Sequence, residues 1–306
     1  MTIRHLKIFI TVAECGSMNT AAKELFLSQP TISQAVRELE DYYGTRLFDR
    51  LSRRLYITPA GQELLNHAYP VVAQFDQLER NMTKDQQKDI IRIGSTITIG
   101  SCLISNILND FSQLLPNTET YTFIGNTQMI EEKLLKSELD IALVEGEIRH
   151  PDLVMVPGIR DFLVLGCAKS HPFADRDAIQ VKELEGQKFV MREQGSGTRA
   201  LFDKFIKRHS LKIRTSWEAT CPDAFRNAIL YNQCLAVVSV RLLERDIRSG
   251  QIRIFNPHTN ELERYFSLVY HKDKVFSPAM NTVRNIIAQY RQPDWLDNVP
   301  VGILNE

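Results

Sequence analysis

The chain lacks the features by which a sequence announces a disulfide framework, a metal site or a membrane anchor. Its five cysteines, Cys15, Cys102, Cys167, Cys221 and Cys234, are odd in number and show no Cys-x-x-Cys spacing, which fits reduced thiols. The seven histidines never fall into a recognised ligand spacing, so no metal is expected. No apolar run approaches the roughly 18 residues of a spanning helix. Arg4, His5, Lys7 and Glu14 break up any signal-peptide core, so the expected location is the cytoplasm, with no membrane partner. An excess of charge of either sign is missing too: Lys+Arg and Asp+Glu both total 37, and any nucleic-acid partner must be met by a local patch. Catalytic signatures are absent. Ser196 has no Gly-x-Ser-x-Gly frame, and the turn Gly195-Ser196-Gly197 is not followed by the Gly-Lys-Ser/Thr of a P-loop. No catalytic residue and no cofactor is expected, and at 306 residues the chain suits two or three domains.

What is present begins with helices. Ile3, Leu6, Phe9, Ile10 and Ala13 recur with helical period and predict a helix ending near Gly16. Ser17 is an N-cap candidate for a second, Met18 to Phe26. After a very short turn, Ser28 caps a third, with Pro30 in its first turn and Ile32, Val36, Leu39 and Tyr43 facing inward. The opposite face carries Gln29, Pro30, Ser33, Gln34 and Arg37, side chains suited to base edges in a major groove. Such a pair reads either as a helix-turn-helix with recognition helix Gln29 to Tyr43, or as two amphipathic helices of any bundle. The segment from Arg46 to Thr58 then alternates as a hairpin, with Arg50, Arg53 and Arg54 against one carboxylate, Asp49. Four arginines beside the third helix favour a basic wing that follows phosphates or enters a minor groove.

Leu6, Phe9, Gly16-Ser17, Ala21-Ala22, Leu25, Ser28-Gln29-Pro30, Ser33, Leu39-Glu40, Gly44, Leu47-Phe48, Arg50, Arg53, Thr58 and Ala60-Gly61 stand at fixed spacings. On these positions residues 1 to 61 resemble the winged helix-turn-helix of LysR-type transcriptional regulators. The resemblance implies that Gln29, Pro30, Thr31, Ser33, Gln34 and Arg37 reach bases or nearby phosphates of double-stranded DNA, and that Arg50, Arg53 and Arg54 lie at the backbone or minor groove.

Thr58-Pro59 opens a helix to about Lys84, whose Leu64, Ala68, Val71, Phe75, Leu78 and Met82 alternate spacings of four and three, a heptad seam. The seam reads as a packing face of its own domain or, better for its length, as a dimer contact, and Pro70 predicts a kink or partial break. Pairing of two subunits through such a linker helix, and tetramers, are what the resemblance implies. The polar run from Thr83 to Asp89 marks a boundary.

Beyond it short β-branched runs alternate with helices in βαβαβ order: Ile90 to Gly94, a helix from Ile99 to Leu115, Glu119 to Ile124, a helix from Thr127 to Ser137, and Leu139 to Val144. The style restarts after Asp161, with strands near Phe162 to Ala168, Lys188 to Arg192, Ile213 to Glu218 and Leu235 to Val240. A last strand, Tyr265 to His271, and a helix from Pro278 are expected to return to the first lobe. Periodicity gives two α/β lobes. The remainder of the chain resembles the LysR-type effector domain, which implies a periplasmic-binding-protein-like module with its ligand between the lobes. The expected organisation is α/β with an N-terminal winged helix-turn-helix over 1–58, a linker helix over 59–88, and an effector domain over 89–306, with lobe I at 89–160 and 266–306 and lobe II at 161–265.

Ile93 to Gly100, Ile124 to Thr127, Leu139 to Gly146 and Arg192 to Arg199 most resemble the family branch that includes regulators of sulfur assimilation. Thr98, Thr127 and Thr198 are each N-cap candidates where a strand gives way to a helix. Three helix N-termini at one cleft offer N–H donors, hydroxyls and dipole ends to an anion, although each threonine taken singly reads as a cap alone. The expected effector-binding set is Ser95, Thr96, Thr98, Asn126, Thr127, Gly195, Ser196, Gly197, Thr198 and Cys221. Cys221 stands near a helix start in a region where similar sequences carry Ser or Thr, and with Cys234 it leaves open a redox-responsive regulator. A solute-binding module without DNA function is the other alternative. RNA polymerase is a further possible partner of a regulator.

Overall fold

The computed structural model describes residues 1–51, 54–82, 89–257, 260–290 and 299–305. The chain divides into two units, Met1–Gln87 with Leu135–Glu138, and Lys88–Leu134 with Leu139–Glu306.

The first unit contains α1 (Ile3–Cys15), α2 (Met18–Glu24), α3 (Gln29–Tyr43), the hairpin β1 (Phe48–Leu51) and β2 (Arg54–Ile57), and α4 (Pro59–Met82). Helix α1 ends where Gly16 turns left-handed at φ 58, a conformation that costs glycine little. Ser17 and Ser28 cap α2 and α3 by accepting from the N–H groups of Thr20 and Thr31. Phe9, Val12, Ala21, Ile32, Val36 and Leu39 form the centre of its core, and Leu47 and Phe48 close it from the hairpin. Thr58 both donates to the Arg46 carbonyl at 2.7 Å and accepts from Gly61 N–H at 3.0 Å, fixing the start of α4 against the wing.

Of the kink or partial break expected at Pro70, the break does not occur: α4 is one helix from Pro59 to Met82. A proline removes one backbone bond, and the contacts of the helix with α1 offset it. Tyr69 donates to Glu14 at 2.8 Å and Lys7 to Asp76 at 2.7 Å. The heptad seam divides in two. Leu64 and Ala68 belong to the core of this unit, whereas Val71, Leu78 and Met82 are exposed.

The second unit contains, in order, β3 (Ile90–Thr96), α5 (Ile97–Cys102), α6 (Ile104–Leu114), β4 (Glu119–Gly125), α7 (Thr127–Leu135), β5 (Ile141–Glu145), β6 (Leu153–Ala168), β7 (Ala178–Gln180), β8 (Lys188–Arg192), α8 (Gly197–Arg208), β9 (Arg214–Ala219), α9 (Pro222–Asn232), β10 (Ala236–Ser239), α10 (Glu244–Arg248), β11 (Ile252–Pro257), β12 (Glu263–His271), α11 (Pro278–Ile287) and β13 (Val301–Asn305). The expected helix from Ile99 to Leu115 is two helices, broken at Leu103.

Strand β6 organises both lobes. Its first part, Leu153 to Phe162, pairs antiparallel with β12, which pairs in turn with β5; β3 lies parallel between β5 and β4. From Leu163 onward β6 changes partners to β10 and β11. Strand β12 and helix α11 do return to the first lobe, where Val283, Ile286 and Phe266 join Ile99, Ile107 and Phe111 in one core. The C-terminal strand does not. β13 pairs parallel with β11 and β7 in the second lobe, where the expected assignment placed residues 266–306 in the first, and its backbone N–H and C=O groups find their ladder partners there.

Candidate functional site

On the first unit, α3 presents Gln29, Pro30, Thr31, Gln34 and Arg37 to solvent, while Ser33 is half-buried against the core side. Helical spacing puts Pro30, Gln34 and Arg37 on one stripe, as period 3.6 requires. Two of these side chains are already oriented. The Thr31 hydroxyl lies 2.8 Å from that of Ser28, and the Gln34 amide donates to Glu38 at 2.9 Å. Glu38 also meets His5 at 2.8 Å, and the Gln34 and His5 contacts hold its carboxyl below its ordinary range. Glu40 ties the end of α3 to the wing by accepting from the N–H groups of Leu47 at 2.8 Å and Phe48 at 3.3 Å. Arg50 is exposed on β1 opposite Leu55. Arg54 occupies the β2 position opposite Leu51, and Arg53 lies outside the described residues.

In the second unit, the predicted threonines meet around a carboxylate that sequence reasoning did not assign. Glu145 ends β5 with its side chain 2% exposed. Thr98 Oγ1 donates to its Oε1 at 2.9 Å and Thr198 Oγ1 does so at 3.4 Å, while the Thr127 hydroxyl donates to the Glu145 carbonyl at 2.8 Å. The Glu145 N–H donates to Thr96 Oγ1 at 3.3 Å. Arg264, from β12, completes the group. Its Nε donates to Asp161 at 2.8 Å, its Nη1 to Thr198 at 2.9 Å, and its Nη2 lies 3.0 Å from Glu145 Oε2. Burial pulls the Arg264 pKa down, but the charges of Glu145 and Asp161 outweigh it and the guanidinium titrates above its ordinary value. Asp161 is held further by Ser239 at 2.7 Å, and Arg192 Nη1 lies 3.9 Å from Glu145 while its other nitrogens pair with Glu193.

The helix caps fall one or two residues before the predicted threonines. Thr96 precedes α5, Ser196 caps α8 by accepting from Arg199 N–H, and Asn126 Oδ1 accepts from Met129 N–H at the start of α7. Thr98, Thr127 and Thr198 therefore lie inside the first turns, which frees their hydroxyls to reach Glu145. The anion reading loses one of its three helices as well, since α5 spans only six residues before Leu103 breaks it. Ser95 is buried and donates to the Thr96 carbonyl. Gly197 packs on the Glu145–Gly146 backbone so closely that a Cβ on it would stand 2.3 Å from the Glu145 carbonyl oxygen, and a Cβ on Gly195, at φ +84, would stand 3.3 Å from the Asn126 amide nitrogen.

Cys221 takes no part in this cluster: it is exposed, at the N-cap of α9, without a side-chain cap bond. Cys234 lies beyond the other end of α9, whose 11 residues span about 16 Å, more than twice the reach of a disulfide. Burial also raises the thiol pKa of Cys234, and pushes those of Cys102 and Cys167 up to about 12, which opposes thiolate chemistry.

Comparison with known proteins agrees with both units. The family pattern described as "Bacterial regulatory helix-turn-helix protein, lysR family" matches residues 3–62, and "LysR substrate binding domain" matches residues 84–292. The transcriptional activator CmpR of Synechocystis sp. is 28% identical over 283 residues, 92% of this chain and 93% of that protein. The transcriptional regulator CysL of Bacillus subtilis is 27% identical over 282 residues, 92% of each. Among solved structures, full-length OxyR from Pseudomonas aeruginosa shares the fold at TM-score 0.68 and 20% identity, covering 94% of this chain and 95% of that one. The Synechocystis CcmR regulatory domain in complex with 2-PG does so at TM-score 0.62 and 22% identity, covering 67% of this chain and all of that domain. No helix among the described residues is long and apolar enough to cross a membrane. With the helix-turn-helix pattern over 3–62 and the substrate-binding pattern over most of the remainder, the chain belongs to the LysR family and is a DNA-binding transcriptional regulator with a small-molecule effector domain.

Proposed function

We propose that the effector is a small anion held between the lobes, and that it acts by shifting the arrangement of those lobes and hence of paired DNA-binding units. The convergence of Thr98, Thr198 and Arg264 on one carboxylate at the lobe junction carries this reading, because the same donors suit a free oxyanion. Asn126, Thr127, Gly195, Ser196 and Gly197 border it. Cys221 is not among the residues the geometry favours. The 2-PG bound by CcmR belongs with sulfate, phosphate and small carboxylates as a ligand to test.

On DNA, Gln29, Pro30, Thr31, Ser33, Gln34 and Arg37 address the major groove and the arginines of the wing the phosphates or minor groove. The exposed half of the α4 seam, Val71, Leu78 and Met82, supports a homodimer, with tetramers and contact with RNA polymerase as further expectations for a cytoplasmic regulator. Relatives of different name share 27–28% identity with the chain, so the sulfur-assimilation branch rests on the motifs alone. The test is a footprint on the DNA upstream of its own gene, with thermal midpoints measured in parallel. Arg37→Ala weakens binding by about 1–3 kcal/mol with a steep salt dependence. An anion that raises the midpoint loses its effect in Thr98→Ala. Unchanged footprints after replacing both Gln34 and Arg37, or no anion response, defeat the respective halves of the proposal.

A further inference from the structure

The donors that a free oxyanion needs at the lobe junction are already committed to one. Glu145 Oε1 accepts from Thr98 at 2.9 Å and Thr198 at 3.4 Å, with Arg192 at 3.9 Å, and Oε2 faces Arg264 Nη2 at 3.0 Å. Thr98 follows β3 in the first lobe and Thr198 stands on α8 in the second, so the one carboxylate bridges both. Its backbone is fixed as well, through Thr96 and Thr127. Yet the fit is imperfect. Arg264 Nη2 and Glu145 Oε2 are both buried and close, but their alignment gives neither atom a hydrogen bond. A tethered side chain cannot turn to satisfy them, whereas a small untethered oxyanion can.

We infer that Glu145 is a built-in ligand of this anion site: its carboxylate holds the place of a free oxyanion, pins β5 to α8, and excludes external anions that do not displace it. The inference deepens the anion reading and shares with it only the location of the site. A purely structural ion pair has a different signature, because its removal destabilises the fold and creates no affinity for anything.

The test uses the full chain as wild type, Glu145→Ala and Glu145→Gln, with thermal midpoints followed against formate, acetate, sulfate and phosphate, and chloride at matched ionic strength as control. Glu145→Ala should be stabilised saturably by formate or acetate, with a half-point about tenfold or more below that of wild type, as removal of a like charge from the site implies. Adding Thr198→Val to Glu145→Ala should abolish the gain. Folding of Glu145→Ala only in the presence of formate supports the inference equally. If it folds in no anion, Glu145→Gln decides by its half-point for sulfate or phosphate against wild type. Half-points no lower than wild type in the folded variants overturn the inference, even where wild type itself responds to an anion and the effector reading stands. A response confined to the variants supports the inference while the anionic-effector reading fails.

Discussion

Gly197→Ala sets local and tertiary effects against each other with opposite signs. Gly197 opens α8 with an ordinary helical backbone, so alanine there should restrict the unfolded chain and stabilise by about 0.4–1 kcal/mol. The added Cβ, however, meets the Glu145 carbonyl oxygen at 2.3 Å, its carbon at 2.8 Å and Gly146 Cα at 2.8 Å, none of which is a flexible side-chain end. Ordinary contact begins at 3.4 Å, so α8 and β5 must part by about 1.1 Å. The Thr198 to Glu145 contact, already 3.4 Å, does not survive that movement. Overpacking of this kind costs about 1–3 kcal/mol and outweighs the local gain. In urea titrations of the full chain, the midpoint of the effector-domain transition should fall with an unchanged slope, and its thermal midpoint should drop by several degrees. A variant as stable as wild type, or more so, would show that the lobes do not meet at Gly197 and would remove the geometric basis for the Glu145 bridge.

Glu40→Ala strands the Leu47 and Phe48 N–H groups and should cost the DNA-binding unit about 1–3 kcal/mol, with loss of operator affinity read by gel shift. Arg50→Ala should weaken DNA binding evenly across sequences and reduce the salt slope by about 1, whereas a change in sequence preference would contradict a phosphate role. His171 is buried, accepts from Phe173 N–H through Nδ1, and burial holds its pKa below the ordinary 6.5. The stability it contributes is present above 6.5 and lost as pH falls through its lower folded value, so the effector domain should weaken on acidification. His171→Asn, which keeps an acceptor without the proton, should flatten that slope below pH 6.5.

The DNA-binding unit is legible in the sequence because its determinants are local. Ser17, Ser28 and Thr58 sit within three residues of the N–H groups they cap, and α3 emerges with both predicted ends, Gln29 and Tyr43. Strand β8 is equally plain, since Lys188 to Arg192 is buried after its first residue. By contrast, the first part of β6 carries Pro157 and Gly158 and exposes Met155 and Val156, so it lacks the alternation that marks a strand. The short strands β7 and β13 are defined by their pairing, β13 lying between β11 and β7, and not by their composition. The cluster around Glu145 is the least legible part. Thr98 is 47 residues from Glu145, Thr198 53, and Arg264 103 from Asp161, so no spacing rule joins them. The threonines are legible because they follow strands, whereas Glu145 lies in a motif that ends on Gly146, and Asp161 and Arg264 lie in no motif.

Strand β6 has a mechanical consequence. Its β12 partner ends at Phe162 and its β10 partner begins at Leu163, so the change of sheet falls on a single peptide bond within continuous strand. Relative rotation of the lobes must therefore twist β6 itself, which acts at this junction as a beam. Torsion of extended backbone about Phe162–Leu163 turns the two sheets against each other, and the stiffness of that backbone resists any change of angle between them.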